Sequence, residues 1–226
     1  MSMKRTPLSE RQLPDYTRGE EIFNMVTHIV GGALGIAALV LCVVFSAIKG
    51  NVYGVVSGAL FGATMILLYA MSSIYHGLSP HLGAKRVFQV LDHCTIFLLI
   101  AGTYTPVALC SLRAYSPALG WTIFGVIWGV AALGIALNGV DLKRYKTFSM
   151  ICYLAMGWLI IFTAKLLPKL LGRGGVTFLV LGGVAYTLGA ALYALGRKYR
   201  YVHSVFHIFV VIGSVLHFFC IFFYVI

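Results

Sequence analysis

The sequence predicts an all-α membrane protein, a bundle of seven transmembrane helices with no separate soluble domain. Hydrophobic residues make up 60% of the 226 positions and charged residues only 10%, whereas soluble domains average about 45–50% apolar and about 25% charged. Apolar runs long enough to cross a bilayer, which takes about 20 residues, recur along the whole chain. The charged residues collect in short stretches between those runs. The expected organisation is a cytoplasmic tail over 1–20 followed by one membrane domain over 21–226.

The first apolar run covers 24–48. The tail before it contains Lys4, Arg5, Pro7, Arg11, Pro14 and Arg18 and lacks a small-residue cleavage site, so no cleaved signal peptide is expected and the tail is expected to be partly ordered. The second run, 53–78, follows the breaker Lys49-Gly50-Asn51, and the third, 87–110, follows Ser79-Pro80. Pro106 removes a backbone hydrogen bond inside the third run and is expected to kink it near Gly102. The fourth run, 118–138, starts after Ser116-Pro117, and the fifth, 147–167, after Asn138-Gly139. The sixth, 175–195, follows Gly172-Arg173-Gly174-Gly175, and the seventh occupies 202–225. Glycines four apart, at Gly31 and Gly35, at Gly54, Gly58 and Gly62, and at Gly125 and Gly129, are expected to let helices approach closely. Cys42, Cys94, Cys110, Cys152 and Cys220 are scattered through apolar runs without a CxxC pair and read as small buried hydrophobes.

The net charge of +11 reflects topology. Basic residues sit in connectors, not on one face of a folded module, so no nucleic-acid partner is expected. Positive charge marks the cytoplasmic side of a membrane protein. The tail holds four Lys or Arg, the 79–86 connector two, the 139–146 connector three and the 196–201 connector three, twelve on one side. The other side holds five: Lys49, Arg113, Lys165, Lys169 and Arg173. The N-terminus is therefore expected in the cytoplasm and the C-terminus outside.

Among the six acidic residues only Asp92 falls inside an apolar run, where an ionisable group costs roughly 3 kcal/mol and marks function by default. With the expected orientation, His76 and Ser72 lie near the inner end of the second helix, Asp92 and His93 near the start of the third, and His203 and His207 at the start of the seventh. Residues at i and i+4 share a helix face about 6 Å apart. Two such imidazoles plus a third from another helix form the open three-nitrogen set of hydrolytic zinc sites. Zinc there lowers the pKa of a water to about 7 and polarises a carbonyl, while a nearby carboxylate takes the proton. His76, His203 and His207 are accordingly expected as zinc ligands, Asp92 as the catalytic carboxylate and Ser72 as a substrate- or ligand-orienting hydroxyl. His93 points about 100° away from Asp92 and reads as an interfacial residue. His217 reads as a packing or cavity residue and His81 as a solvated loop residue. Glu21, Asn24, Thr27 and His28 form one polar stripe facing the bundle, and capping and packing explain Glu21 and Asn24 about as well as catalysis.

The segments Glu21-x-x-Asn24-x-x-Thr27-His28, Ser72-x3-His76, Asp92, Ala101-Gly102-Thr103-Tyr104-Thr105-Pro106 and His203-x3-His207 together resemble the hemolysin III branch of the progestin and adiponectin receptor family. The resemblance runs from about residue 18 to the C-terminus. It implies a seven-helix bundle in the bacterial inner membrane with a cytoplasmic N-terminus. It implies a zinc ion held by His76, His203 and His207, with Asp92 at its water and Ser72 beside it. Receptors of that family and the related alkaline ceramidases are associated with hydrolysis of lipid amides. The expected function is thus a zinc-dependent hydrolase acting on an amide or ester of a membrane lipid taken into the bundle cavity. A regulator of membrane state with a structural zinc is the alternative, and a cytolytic pore the third reading.

Overall fold

The computed structural model describes residues 6–196 and 199–226. Lys4, Arg5, Arg197 and Lys198, used in the charge count, lie outside the described residues. Six helices among the described residues are long and apolar enough to cross a membrane: α1 Arg18–Ile48, α2 Val52–Gly77, α3 Gly83–Tyr115, α4 Pro117–Thr163, α5 Leu167–Leu195 and α6 Val202–Tyr224. No strand occurs among the described residues. The expected span 118–138 and all but the last four residues of 147–167 fall in α4, which is 47 residues long and departs from helical geometry at Asp141 (φ −157°, ψ 95°).

Local chemistry sets the helix starts. Thr17 caps α1 by accepting from the Glu20 amide, and the Glu20 carboxylate accepts from the Thr17 amide in return. Asn51 caps α2 and Ser116 caps α4, with Pro117 in its first turn. The apolar residues Ile22, Val26, Ile29, Ile36 and Val40 of α1 face outward, as a bundle surrounded by lipid requires. The helix α1 packs on α2 and α6, α2 on α3, α3 on α4, and α5 on α6, whereas α4 and α5 touch at few places. A cavity opens beside that weak seam.

Close packing follows glycine where the glycine faces a neighbour. A Cβ on Gly62 would stand 2.5 Å from the Leu39 Cα, and one on Gly58 2.8 Å from the Cys42 Cβ, so α1 and α2 meet backbone to backbone. Gly31 receives the Tyr69 ring in the same way. Gly125 and Gly129 do not conform to the expectation: nothing lies within 4 Å of either. The buried face of that part of α4 is Ile123, Ile127, Ala131 and Gly134, and the pair sits on the opposite side, so their spacing serves no helix contact.

The irregularity in α3 also differs from expectation. Gly102 remains helical and packs against Thr64, while the helix widens after Pro106 into a π-helical segment, Val107–Leu112. A wide turn is a common way to absorb a missing amide donor. The helix thereby continues to Tyr115, past the expected end at 110. In α5 the break lies at Gly172, whose φ of 63° suits a residue without a Cβ.

The described N-terminal residues, from Thr6, pack against the bundle. A short 3-10 turn, Leu8–Glu10, leads to Arg11, whose carbonyl accepts from Arg86 Nε at 3.1 Å. The Thr6 amide donates to the Asp141 carboxylate at 3.0 Å. The segment therefore crosses the end of the bundle where α2 finishes and α3 and α6 begin.

Candidate metal centre

At that end two helices bring three imidazoles together. His76 stands in the last turn of α2, and His203 and His207 in the first turns of α6. All three are buried, and each offers a ring nitrogen within 4.8 Å of the others. The His203 and His207 Nε2 atoms lie 3.1 Å apart. Two nitrogens on a tetrahedral zinc with Zn–N bonds of about 2.0–2.1 Å are separated by about 3.3 Å. The donor set, neutral imidazoles with no thiolate, is the one zinc takes in open sites.

The surroundings of His76 decide which of its nitrogens faces the others. Its Nδ1 lies 2.6 Å from Glu21 Oε2, which as a carboxylate can only accept, so Nδ1 carries the proton. Its Nε2 is buried and has no hydrogen-bond partner, an orphaned lone pair that a metal ion satisfies. The other Glu21 oxygen accepts from Lys85 Nζ at 2.7 Å, and Lys85 also donates to the Leu78 carbonyl at 2.8 Å. Lys85, read in the sequence only as a connector charge, is 1% exposed. A carboxylate behind a histidine fixes its tautomer and raises its basicity, and losing such a partner typically costs 10–100-fold in metal affinity. Glu21→Gln is expected to weaken zinc binding by about that factor, measured by competition with a chromophoric chelator; unchanged affinity would mean that Glu21 only caps the helix.

The polar stripe of α1 divides between two tasks. Glu21, Asn24 and His28 face the histidines, with Asn24 Nδ2 3.5 Å from His76 Nδ1 and the His28 ring stacked on His207 at 3.8 Å between centroids. Thr27 bonds back to the Phe23 and Asn24 carbonyls of its own helix. Tyr16, from the N-terminal segment, stacks on His203 with ring centroids 4.8 Å apart. Burial pushes its phenol well above the ordinary value, so it covers the histidines as a neutral ring at physiological pH.

Ser72 and Asp92 line a largely apolar cavity that His203 and His207 also border. Neither belongs to the three-histidine group. Ser72 is buried, and Asp92 is partly accessible, with Oδ2 3.6 Å from His93 Nδ1. His93 lines the cavity, faces the Gln89 carbonyl through Nδ1 at 2.9 Å and meets the Tyr193 hydroxyl through Nε2 at 3.1 Å. His217 lies at the deep end of the cavity with Nε2 3.1 Å from the Leu179 carbonyl, and His81 is exposed. Ile96, Ile100, Met150, Leu154, Phe206 and Val210 supply much of the apolar wall.

Comparison with known proteins identifies the family of the chain. A family profile described as haemolysin-III related matches residues 16–218. The chain is 40% identical to Hemolysin-3 of Bacillus cereus over 206 residues, covering 91% of this chain and 92% of the relative. It is 39% identical over 209 residues to the Hemolysin-3 homolog of Bacillus subtilis (strain 168), covering 92% and 96%. At 25% identity over 221 residues it is also similar to the monocyte to macrophage differentiation factor of Homo sapiens, covering 96% and 88%. The chain is therefore a multi-pass membrane protein that belongs to the haemolysin-III related family.

Proposed function

We propose that the protein is a zinc-dependent hydrolase that cleaves an amide or ester of a membrane lipid, with His76, His203 and His207 as the zinc ligands. The observation that carries this reading is the three-histidine group, with the orphaned His76 Nε2 turned by Glu21, at the head of an apolar cavity. When bound, zinc supplies a Lewis acid and a water acidic enough to ionise near neutral pH. The residues do the rest. Glu21 and Lys85 hold the His76 ring, Asp92 accepts the proton of the attacking water and returns it to the leaving group, and Ser72 donates a hydrogen bond that orients the polar end of the substrate. The apolar wall accepts an acyl chain and keeps bulk water away from the reacting carbonyl.

The same reading places the site in the cytoplasmic leaflet of the bacterial inner membrane. Twelve basic residues at the histidine end against five at the other support a cytoplasmic N-terminus. A straight helix of 47 residues would run about 70 Å, more than twice the roughly 30 Å hydrocarbon core, so the two halves of α4 on either side of Asp141 are read as separate spans. That makes seven and puts the C-terminus outside. Alkaline phosphatase fused after Ile226 is expected to be active, and an inactive fusion with intact expression would reverse the orientation.

The enzymatic test is turnover of acyl-amide and acyl-ester lipids by the purified protein with zinc present or stripped. Zinc-dependent release of fatty acid is expected from at least one class. Absence of metal-dependent turnover on both would leave zinc as a structural tie between α2 and α6 in a membrane regulator.

A further inference from the structure

Beyond the histidines, toward the end of the bundle covered by the N-terminal segment, lies a second cavity that the enzymatic reading does not use. It lies beneath the N-terminal segment and is bordered by the cations Arg11, Lys143, Lys146 and Arg200 and the carboxylates Asp15, Glu20 and Asp92. The two cavities share Asp92, His93, Leu142, Lys146, Tyr193 and His203 on their walls. They adjoin across these residues, one cavity largely apolar and the other polar, with His203 and Asp92 at the shared wall that forms the neck.

Arg11 is the unexplained residue of the polar end. It is 4% exposed, yet Nε and both terminal nitrogens of its guanidinium are buried without a hydrogen-bond partner. Arginine cannot shed its charge, and its five N–H donors form a rigid fork matched to oxyanions. A buried guanidinium with no acceptor is costly unless a ligand supplies one. Of the nearby carboxylates, Asp141 attracts the Arg11 charge through space, yet none accepts a hydrogen bond from the guanidinium. Asp141 accepts from the Thr6, Lys143 and Arg144 amides, and Glu20 from the Thr17 amide and hydroxyl and the Tyr201 amide. Asp15 is exposed, and Asp92 lies at the neck.

We propose that this vestibule binds a phosphate-class anion through Arg11, flanked by Lys143 and Lys146, and that an acyl lipid carries the anion as its headgroup. The lipid part rests on the reading of the apolar cavity as an acyl-chain site. It narrows the substrate class from any acyl lipid to one with an anionic, phosphate-bearing head, whose scissile carbonyl falls between head and chain at the neck. Arg11 is a binding residue here and takes no part in proton transfer.

The test uses the full chain in a neutral maltoside detergent and reads binding, not turnover. The probes are 1-oleoyl lysophosphatidic acid, 1-monooleoylglycerol, which lacks only the phosphate, and inorganic phosphate alone. The phosphate-bearing lipid is expected to bind at least about tenfold more tightly than the glycerol ester, as fits charge-assisted hydrogen bonds to a buried fork. Arg11→Gln is expected to remove most of that preference while leaving monooleoylglycerol affinity unchanged, which also shows that the variant is folded. Arg11→Lys, which keeps the charge and loses the fork, is expected to fall between. Equal binding of the two lipids by the wild-type protein overturns the lipid assignment without recourse to any variant. If inorganic phosphate then binds in an Arg11-dependent way, free phosphate is the anion; if it does not, the anion site itself is overturned. Because no turnover is read, a preference without hydrolysis upholds the vestibule while the hydrolase reading fails, and equal binding leaves hydrolysis of an uncharged lipid open.

Discussion

Replacing His207 by alanine is expected to strip zinc from the purified protein and with it all metal-dependent turnover. His207 supplies an Nε2 3.1 Å from that of His203, and its removal leaves two nitrogens where an open zinc site needs three. The loss should exceed the 10–100-fold typical of an outer partner such as Glu21, and metal analysis after dialysis at micromolar free zinc reads it directly. The variant should still fold, because helices α1, α2, α3 and α6 are held by contacts spread along their lengths, among them the Tyr69 hydroxyl bond to Ser214 at 2.8 Å. Zinc retained at one ion per chain in the variant would place the metal elsewhere.

Asp92→Asn is expected to separate binding from chemistry. The carboxylate lies outside the three-histidine group and lines the cavity beside it, so the amide should leave zinc content unchanged. An amide is not a useful proton acceptor, and loss of general acid–base assistance lowers turnover by about 10²–10⁴-fold. A zinc-loaded variant with wild-type turnover would assign Asp92 to packing and remove the carboxylate from the mechanism. Parallel loss of zinc and activity would instead make Asp92 part of the metal's own support.

Much of the architecture was legible because hydropathy reports membrane burial directly, and the i, i+4 pair His203 and His207 needs only a helix to share a face. The third histidine was read from the expected seven-span topology, in which alternating direction brings the end of the second span and the start of the seventh to one level. What pairs across the fold was not legible. Glu21 meets His76 over a separation of 55 residues and Lys85 over 64, and a charge near a helix end looks the same in sequence whether it caps, faces solvent or braces a ligand. The tail was equally opaque: Tyr16 covers His203 through a ring contact that no periodicity announces. Glycine spacing carried half its meaning, for Gly58 and Gly62 meet α1 while Gly125 and Gly129 meet nothing. Four-residue spacing defines a stripe, and only the packed structure says which way the stripe faces.

The most direct test of the zinc centre is X-ray absorption at the zinc edge on the purified wild-type protein. The account predicts one zinc per chain with three imidazole nitrogens at about 2.0–2.1 Å and a light-atom fourth ligand, and no zinc-edge signal from purified His207→Ala. Sulfur in the coordination shell, or a protein that stays metal-free at micromolar zinc, would contradict it.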